Sequence, residues 1–205
     1  MILLTAAVGQ ELGFWRARPN VKTLLTGVGP VEAAAAVARE LARAPYRCVV
    51  NAGIAGAFEG AAGVGDAVVV AEETMEITLE SGQPIRLPEG AAIPERARSH
   101  DRLVRALGAA GFPALRGITV SQVTTTEATA ARLAALGAQV ESTEGFAVLR
   151  AAALAGVAAV ELRGISNRVG DRTMSAWNFQ AGVDALARIV TAFFDLGEIA
   201  VEPVA

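Results

Sequence analysis

Short apolar, β-branched segments alternate with Ala- and Leu-rich segments of helical period along the whole chain of 205 residues. This alternation is typical of a parallel or mixed sheet that helices cover on both faces. The strand candidates are residues 2–7, 22–26, 48–51, 67–71, 117–121, 139–142 and 157–165. The helix candidates are residues 30–43, 102–110, 127–136, 144–155 and 177–196. The pattern therefore predicts a three-layer α/β/α fold with a central mixed sheet.

The length predicts one domain that spans residues 1–205, because the chain is only slightly longer than a usual domain. Residues 80–98 lose the helical and strand periods and collect proline and glycine. We interpret them as a loop or excursion within that domain.

Composition excludes several classes of protein. Apolar residues make up 53% and charged residues 19%, so the chain is expected to bury a core. The net charge is −3 and no run of Lys or Arg is suited to a phosphate backbone, which argues against nucleic acid as a partner. The single Cys48 and the single His100 argue against a metal site, and no cofactor is predicted.

The apolar N-terminal segment, residues 1–8, has no basic region before it and meets Gly9 and Glu11 too early to span a bilayer. We therefore expect a cytoplasmic protein without membrane contact.

Two glycine-rich segments follow strand candidates. Thr26-Gly-Val-Gly-Pro-Val-Glu32 opens a helix, where backbone N–H groups are able to hold an anion or a ligand oxygen. The third glycine of a dinucleotide fingerprint would fall on Glu32, which opposes a pyrophosphate. Asn51-Ala-Gly-Ile-Ala-Gly-Ala57 is the second segment, at the sheet edge where α/β proteins bind ligands. A tight turn and close packing of two elements explain the same glycines without a ligand.

Polar residues at strand ends are the candidates for chemistry. Glu11 follows the first strand and Glu144 precedes a helix, and either carboxylate is also explained as a helix-end acid. Ser166 and Asn167 follow a buried strand and have the right groups to bind the edge of a base, although Asn is also a common turn residue. Glu141 is interpreted as a surface residue.

Taken in order, these segments resemble the purine nucleoside phosphorylase and nucleosidase superfamily. The resemblance rests on Ala7-Val-Gly-Gln-Glu11-Leu, the two glycine-rich segments, Val64-Gly-Asp66, Ser142-Thr-Glu144-Gly and Arg163-Gly-Ile-Ser-Asn167. It covers nearly the whole chain. It implies a purine nucleoside phosphorylase-like fold, cleavage of the bond between a purine and a ribose-type sugar, and a homo-oligomer.

The resemblance also implies roles for individual residues. Glu11 matches the acid that activates water in the related nucleosidases, Glu144 the glutamate that binds the ribose hydroxyls, and Asn167 the aspartate that acts as general acid. The implied substrate-binding residues are Gly29, Ile54, Thr125, Thr126, Thr143, Ser166, Arg172 and Trp177. Three of these positions depart from the nucleosidases, which have a serine at Ile54, a base-stacking phenylalanine at Thr125 and a methionine at Thr143.

Asn167 points to the base. An amide offers one donor and one acceptor, which suits a 6-oxopurine, whereas aspartate suits adenine. This favours the futalosine hydrolase family within the superfamily, whose substrate is a hypoxanthine nucleoside with a carboxylate-bearing extension. Arg172, or alternatively Arg168, is predicted to bind that carboxylate, with Trp177 over the aromatic ring of the extension.

Other functions remain open at this point. A methylthioadenosine/adenosylhomocysteine or aminodeoxyfutalosine nucleosidase is opposed mainly by Asn167. A phosphorylase would need a basic pocket near Gly29 and the strand-end glycines, where we find no Arg or His. A nicotinamide-dependent oxidoreductase would explain Gly27 and Gly29 but not Glu32, and a nucleoside-binding module without activity is a further alternative.

Overall fold

The computed structural model describes residues 1–83, 85–94, 96–170 and 177–197. The strands in this part of the chain are β1 (Ile2–Ala6), β2 (Val21–Leu25), β3 (Cys48–Ala57), β4 (Ala67–Met75), β5 (Ala97–Arg98), β6 (Ala114–Thr119), β7 (Val140–Ser142) and β8 (Ala158–Arg168). The helices are α1 (Pro30–Leu41), α2 (Asp101–Ala109), α3 (Glu127–Ala135), α4 (Gly145–Leu154) and α5 (Phe179–Asp195). One turn of 3-10 helix, Gly9–Leu12, follows β1.

The strands form one mixed sheet that closes on itself over part of its length. Strand β3 pairs with β8 in parallel, β8 with β4 antiparallel, and β4 with β6 in parallel. Strand β6 then pairs with β7 in parallel, and β7 returns antiparallel to the end of β3. These five strands make a closed ring, while β1 and β2 extend the sheet from the first half of β3. Closure leaves fewer strand edges without backbone partners.

Helices cover both faces of this sheet, as predicted. Helices α2 and α5 pack on one face with Leu4 and Leu162, and α1 and α4 pack on the other with Leu3 and Val49. The ring has a small apolar interior of its own. Its side chains come from all five strands, namely Ala55, Ala57, Val68, Val70, Leu115, Val140 and Ile165. The predicted three-layer architecture around a mixed sheet is confirmed.

Three strands extend further than the sequence predicts. Strand β3 continues to Ala57, β4 to Met75 and β8 to Arg168. The residues beyond the predicted ends are mostly glycine, alanine and polar residues, which are typical of strand ends. In the structure they lie in the ring, where neighbouring strands form hydrogen bonds with their backbones. The two-residue strand β5 within residues 80–98 was also missed, because so short a segment has no readable period.

Close packing of α5 on β8 depends on Gly164. A Cβ at this position would collide with the carbonyl oxygen of Gly182 and would lie 2.7 Å from the backbone nitrogen of Leu186. The glycine therefore lets the helix backbone rest directly on the strand next to Ser166 and Asn167. None of the helices in the described ranges is both long and apolar enough to cross a membrane.

Candidate active site

Glu11 is fixed by three backbone N–H groups. Its Oε2 accepts hydrogen bonds from the nitrogens of Ala7 at 3.0 Å and Val8 at 3.2 Å, and its Oε1 accepts one from Ile54 at 2.9 Å. The side chain is 5% exposed. Burial raises the pKa of Glu11 above its ordinary value, and the Ile54 N–H and the Arg163 charge partly offset this increase. A carboxylate with a raised pKa is suited to take a proton from water near neutral pH.

Glu144 lies between β7 and α4 and is held by the first glycine-rich segment. Its Oε1 accepts hydrogen bonds from the Gly29 nitrogen at 2.8 Å and from the Thr143 hydroxyl at 2.6 Å. Gly29 has a φ of 95° directly before Pro30, a conformation that favours glycine. Gly29, predicted to bind substrate, thus donates its N–H to Glu144. Contacts that reach this carboxylate from 115 residues away are visible only in the folded chain.

Ser166 and Asn167 lie on β8 at an irregularity of the sheet. Ala55 pairs with Ile165 but Gly56 pairs with Asn167, so Ser166 is the extra residue of a β-bulge. The Asn167 Oδ1 accepts from the Ser166 hydroxyl at 2.9 Å, and its Nδ2 donates to the Arg168 carbonyl at 2.9 Å. One N–H and one lone pair of the amide remain for a ligand.

A cleft opens beside this amide. The Trp177 Nε1 donates to the Ser166 hydroxyl at 3.2 Å, which brings the indole to the wall of the cleft. The residues that line it are Ile54, Ala55, Gly56, Val123, Glu141, Ser142, Thr143, Ser166, Asn167 and Trp177. Ile54 donates its N–H to Glu11 and the Thr143 hydroxyl donates to Glu144, so each carboxylate is one hydrogen bond away from a residue that lines this cleft.

The other predicted residues are placed as follows. Thr125 and Thr126 are exposed and line a neighbouring polar cleft, and Thr126 also caps α3 by accepting from the Thr129 nitrogen at 3.2 Å. Arg168 forms ion pairs with Glu127 and Glu59. Arg172 lies outside the described residues.

The interpretation of Glu141 as a surface residue was wrong. Its side chain is 7% exposed, lines the cleft, and accepts a hydrogen bond from the Thr124 nitrogen at 3.1 Å. Val140 points into the interior of the ring, so the next residue of β7, Glu141, points to the other face of the strand, where the cleft covers it.

Sequence reasoning also missed Arg163. We expected no Arg near the strand-end glycines, but Arg163 is buried beside Gly53 and donates from Nη1 to the Ile54 carbonyl at 3.4 Å. Its Nε donates to Glu161 at 2.7 Å. A signal was present, since opposite charges two residues apart in an apolar strand lie on the same face.

A family model described as the phosphorylase superfamily matches residues 16–195, and the chain belongs to this superfamily. Its curated relatives within the superfamily are futalosine hydrolases. The chain is 37% identical over 180 residues to that of Thermus thermophilus, with 82% of this chain and 78% of the relative covered. It is 42% identical over 186 residues to that of Acidothermus cellulolyticus, with 85% and 74% covered.

Solved structures agree on the fold. The chain matches a 5'-methylthioadenosine/S-adenosylhomocysteine nucleosidase from Neisseria meningitidis with a TM-score of 0.80 and 16% identity, over 94% of this chain and 97% of that one. It matches the corresponding nucleosidase from Helicobacter pylori with a TM-score of 0.82 and 13% identity, over 95% and 97%. The predicted purine nucleoside phosphorylase-like fold is confirmed.

Proposed function

We propose that this chain hydrolyses the N-glycosidic bond of futalosine and releases hypoxanthine and dehypoxanthinyl futalosine, a step of menaquinone biosynthesis. The relatives named futalosine hydrolase support the substrate. The observation that supports the chemistry is that two buried carboxylates, Glu11 and Glu144, bond to Ile54 and Thr143, which line the same cleft as the Asn167 amide.

Glu144 binds the sugar in this proposal. An ionised carboxylate accepts hydrogen bonds from two neighbouring hydroxyls, and Gly29 and Thr143 already orient it through Oε1. Departure of the base leaves positive charge on the sugar, which the Glu144 charge stabilises. Glu11 accepts a proton from the attacking water, and the raised pKa described above suits that task.

Asn167 binds the base. Its free N–H donates to O6 of hypoxanthine, and its free lone pair accepts from a protonated N7. The Ser166 hydroxyl and the Trp177 indole hold this amide in place through a chain of hydrogen bonds. The indole is 38% exposed at the wall of the cleft, where it is proposed to pack on the aromatic ring of the substrate extension. The amide cannot deliver a proton as an acid does, so the leaving base is stabilised by hydrogen bonds or protonated by water.

We propose that water, rather than phosphate, is the nucleophile that attacks the sugar. Arg163 is 1% exposed and bonded to Glu161, so its charge is already balanced. Glu11 and Glu144 both lie near enough to Arg163 to interact with its charge, and their own negative charge would repel a phosphate dianion.

A panel of nucleosides tests this function. The protein is incubated with futalosine, aminodeoxyfutalosine, methylthioadenosine and inosine, with and without phosphate, and free base and sugar 1-phosphate are quantified. We expect hypoxanthine from futalosine at a rate that phosphate does not change. A sugar 1-phosphate as the main product would contradict hydrolysis, and preferred release of adenine would favour the methylthioadenosine or aminodeoxyfutalosine alternatives.

The carboxylate of the substrate extension is proposed to bind Arg172, because Arg168 is engaged by Glu127 and Glu59. Equal kcat/KM for inosine and futalosine would argue against any such contact.

We also propose a homo-oligomer. Leu25, Val28 and Val31 are 53%, 64% and 77% exposed around the start of α1, next to Gly29, and a second copy would cover them. Light scattering after gel filtration measures this directly.

A further inference from the structure

Three ionisable side chains are completely buried behind Glu11. Glu73 on β4 and Glu161 on β8 are 0% exposed, and Arg163 on β8 is 1% exposed. Charged groups are rarely buried to this extent unless each is paired. The mechanism proposed above uses neither the Glu73 nor the Glu161 carboxyl, so their burial has to be explained in another way.

The contacts of this cluster leave two carboxyl oxygens, and also the Nη2 of Arg163, without a hydrogen-bond partner among the described residues. Arg163 donates from Nε to the Oε1 of Glu161, and the Thr119 hydroxyl donates to the Oε2 of Glu73. The Oε1 of Glu73 and the Oε2 of Glu161 are buried and accept no hydrogen bond from the described residues. Ionised carboxylates are acceptors only, so two of them side by side cannot satisfy each other.

Two glycines show that these oxygens lie together. A Cβ on Gly145 would lie 2.5 Å from Glu73 Oε1 and 2.7 Å from Glu161 Oε2, so both oxygens face the same point at the start of α4. A Cβ on Gly117 of β6 would collide with Glu73 Oε1 as well. The missing side chains of these glycines provide the space that the two carboxyls occupy.

The positive charge near the cluster balances one ionised carboxylate but not two. Arg163 is the cation that faces both carboxyls, and Glu144 from the start of α4 and Glu11 after β1 add further negative charge. The Thr119 hydroxyl is a neutral polar group that contacts the Glu73 carboxyl, whereas the Ser99 hydroxyl accepts a hydrogen bond from the backbone nitrogen of Glu161. Burial, and next the Glu161 charge, raise the pKa of Glu73 well above its ordinary value.

We propose that Glu73 and Glu161 share one proton and act together as positioning residues that hold the Arg163 guanidinium beside the Glu11 carboxylate. The proton satisfies both unpaired oxygens, and Glu161 keeps the negative charge that binds Arg163. Arg163 and Glu11 approach each other across Gly53, where a Cβ would collide with Arg163 Nη1 and lie 3.0 Å from Glu11 Oε1. The role toward Glu11 rests on the proposed hydrolysis, whereas the shared proton does not.

Infrared spectroscopy of the full-length protein tests the proton. We expect the wild type to retain the carboxyl C=O stretching band of a protonated acid at about pH 8, well above the ordinary glutamate pKa. Glu73→Gln should lose this band, because the amide donates to Glu161 without a titratable proton. Persistence of the band at full intensity in this variant would overturn the proposal. The measurement needs no substrate, so it stands even if futalosine is not cleaved.

Kinetics test the positioning of Arg163. Glu73→Leu removes the donor to Glu161 and should lower kcat about tenfold, whereas Glu73→Gln restores a donor and should recover it to within about threefold. Glu161→Gln should lower kcat by about thirtyfold or more with little change in KM, because neither carboxyl touches substrate. It should also move the acid limb of kcat/KM to lower pH, since the unbalanced guanidinium lowers the pKa of Glu11.

A purely structural role gives a different pattern. It would lower the melting temperature in these variants without moving the acid limb. Equal loss of kcat in Glu73→Gln and Glu73→Leu, or failure of Glu73→Gln to fold, would overturn the shared proton. If the wild type does not release hypoxanthine from futalosine, the proposed function fails and the infrared result alone decides about the pair.

Discussion

At the scale of single residues, Glu144 is the side chain whose replacement should be most costly to catalysis. Glu144→Gln keeps the shape but removes the charge that stabilises the sugar cation, so we expect kcat to fall about a hundredfold or more. Thr143→Ala is the matched control, because it removes one of two donors to Oε1 and leaves the charge in place. The measurement is hypoxanthine release at saturating substrate. Near-normal turnover of Glu144→Gln would mean that Glu144 is only an acidic residue at a helix end.

The proposed role of Glu11 as the base predicts how activity changes with pH. The carboxylate must be ionised to accept a proton, and burial raises its pKa above the ordinary 4.5. The acid limb of kcat/KM should therefore have its midpoint above pH 4.5, and activity should be lost as the pH falls through it. Measurement of kcat/KM for futalosine across the acid range checks this, and Glu11→Gln should be inactive throughout. A midpoint at or below 4.5 would exclude Glu11 as the base.

The choice between hypoxanthine and adenine should depend on Asn167. Asn167→Asp removes the N–H that donates to O6 and adds a charge that accepts readily from a 6-amino group. A buried mismatch costs about 1–3 kcal/mol, so the ratio of kcat/KM for futalosine over aminodeoxyfutalosine should fall by roughly ten- to a hundredfold. An unchanged ratio would mean that this residue does not bind the base edge.

At the scale of elements, the contact between α5 and β8 is set by the smallest side chains. Gly164→Ala would force α5 away from the strand that bears Ser166 and Asn167, and we expect a loss of about 3 kcal/mol in the free energy of unfolding. Gly108→Ala in α2 is the control, since a Cβ there meets no atom within 4 Å. That change should be neutral or stabilising by up to about 1 kcal/mol. Urea unfolding of both variants measures the difference.

At the scale of the whole molecule, buried carboxyls should make stability depend on pH in an unusual direction. Glu73 and Glu11 have raised pKa values in the folded protein, so the folded state keeps protons that the unfolded chain releases above about pH 4.5. Their contribution is complete below that pH and is lost as the pH rises, by up to about 1.4 kcal/mol per pH unit for each proton. Urea unfolding between pH 5 and 8 measures this slope, which should be smaller in Glu73→Gln.

Much of the fold follows from periodicity. The five helices and seven of the eight described strands were predicted, because apolar residues recur at the spacing of buried faces, although the ends of β3, β4 and β8 were placed too early. The closure of the ring was not predicted. It depends on β7 returning to the last two residues of β3, a contact between segments more than 80 residues apart that has no local pattern.

The candidate site divides in the same way. The resemblance carried by the order of the polar segments selected Glu11, Glu144 and Asn167 as candidates, because each residue alone is also explained as a helix-end acid or a turn residue. The partners of these residues came only from the tertiary structure, which brings Ile54 to Glu11 and Gly29 to Glu144. A hydrogen bond is decided by where an atom lies in space, whereas the residue type states only what that atom is able to bond.

The buried cluster illustrates the limit most clearly. The sequence by itself determined that Glu161 and Arg163 lie two residues apart in an apolar strand, and therefore on one face of it. Only the tertiary structure decided that Glu73 meets them from β4 and that Gly145 leaves the space for both carboxyls. The physical reason is that the energy of a buried charge depends on every neighbour that replaces water, and those neighbours come from distant parts of the chain.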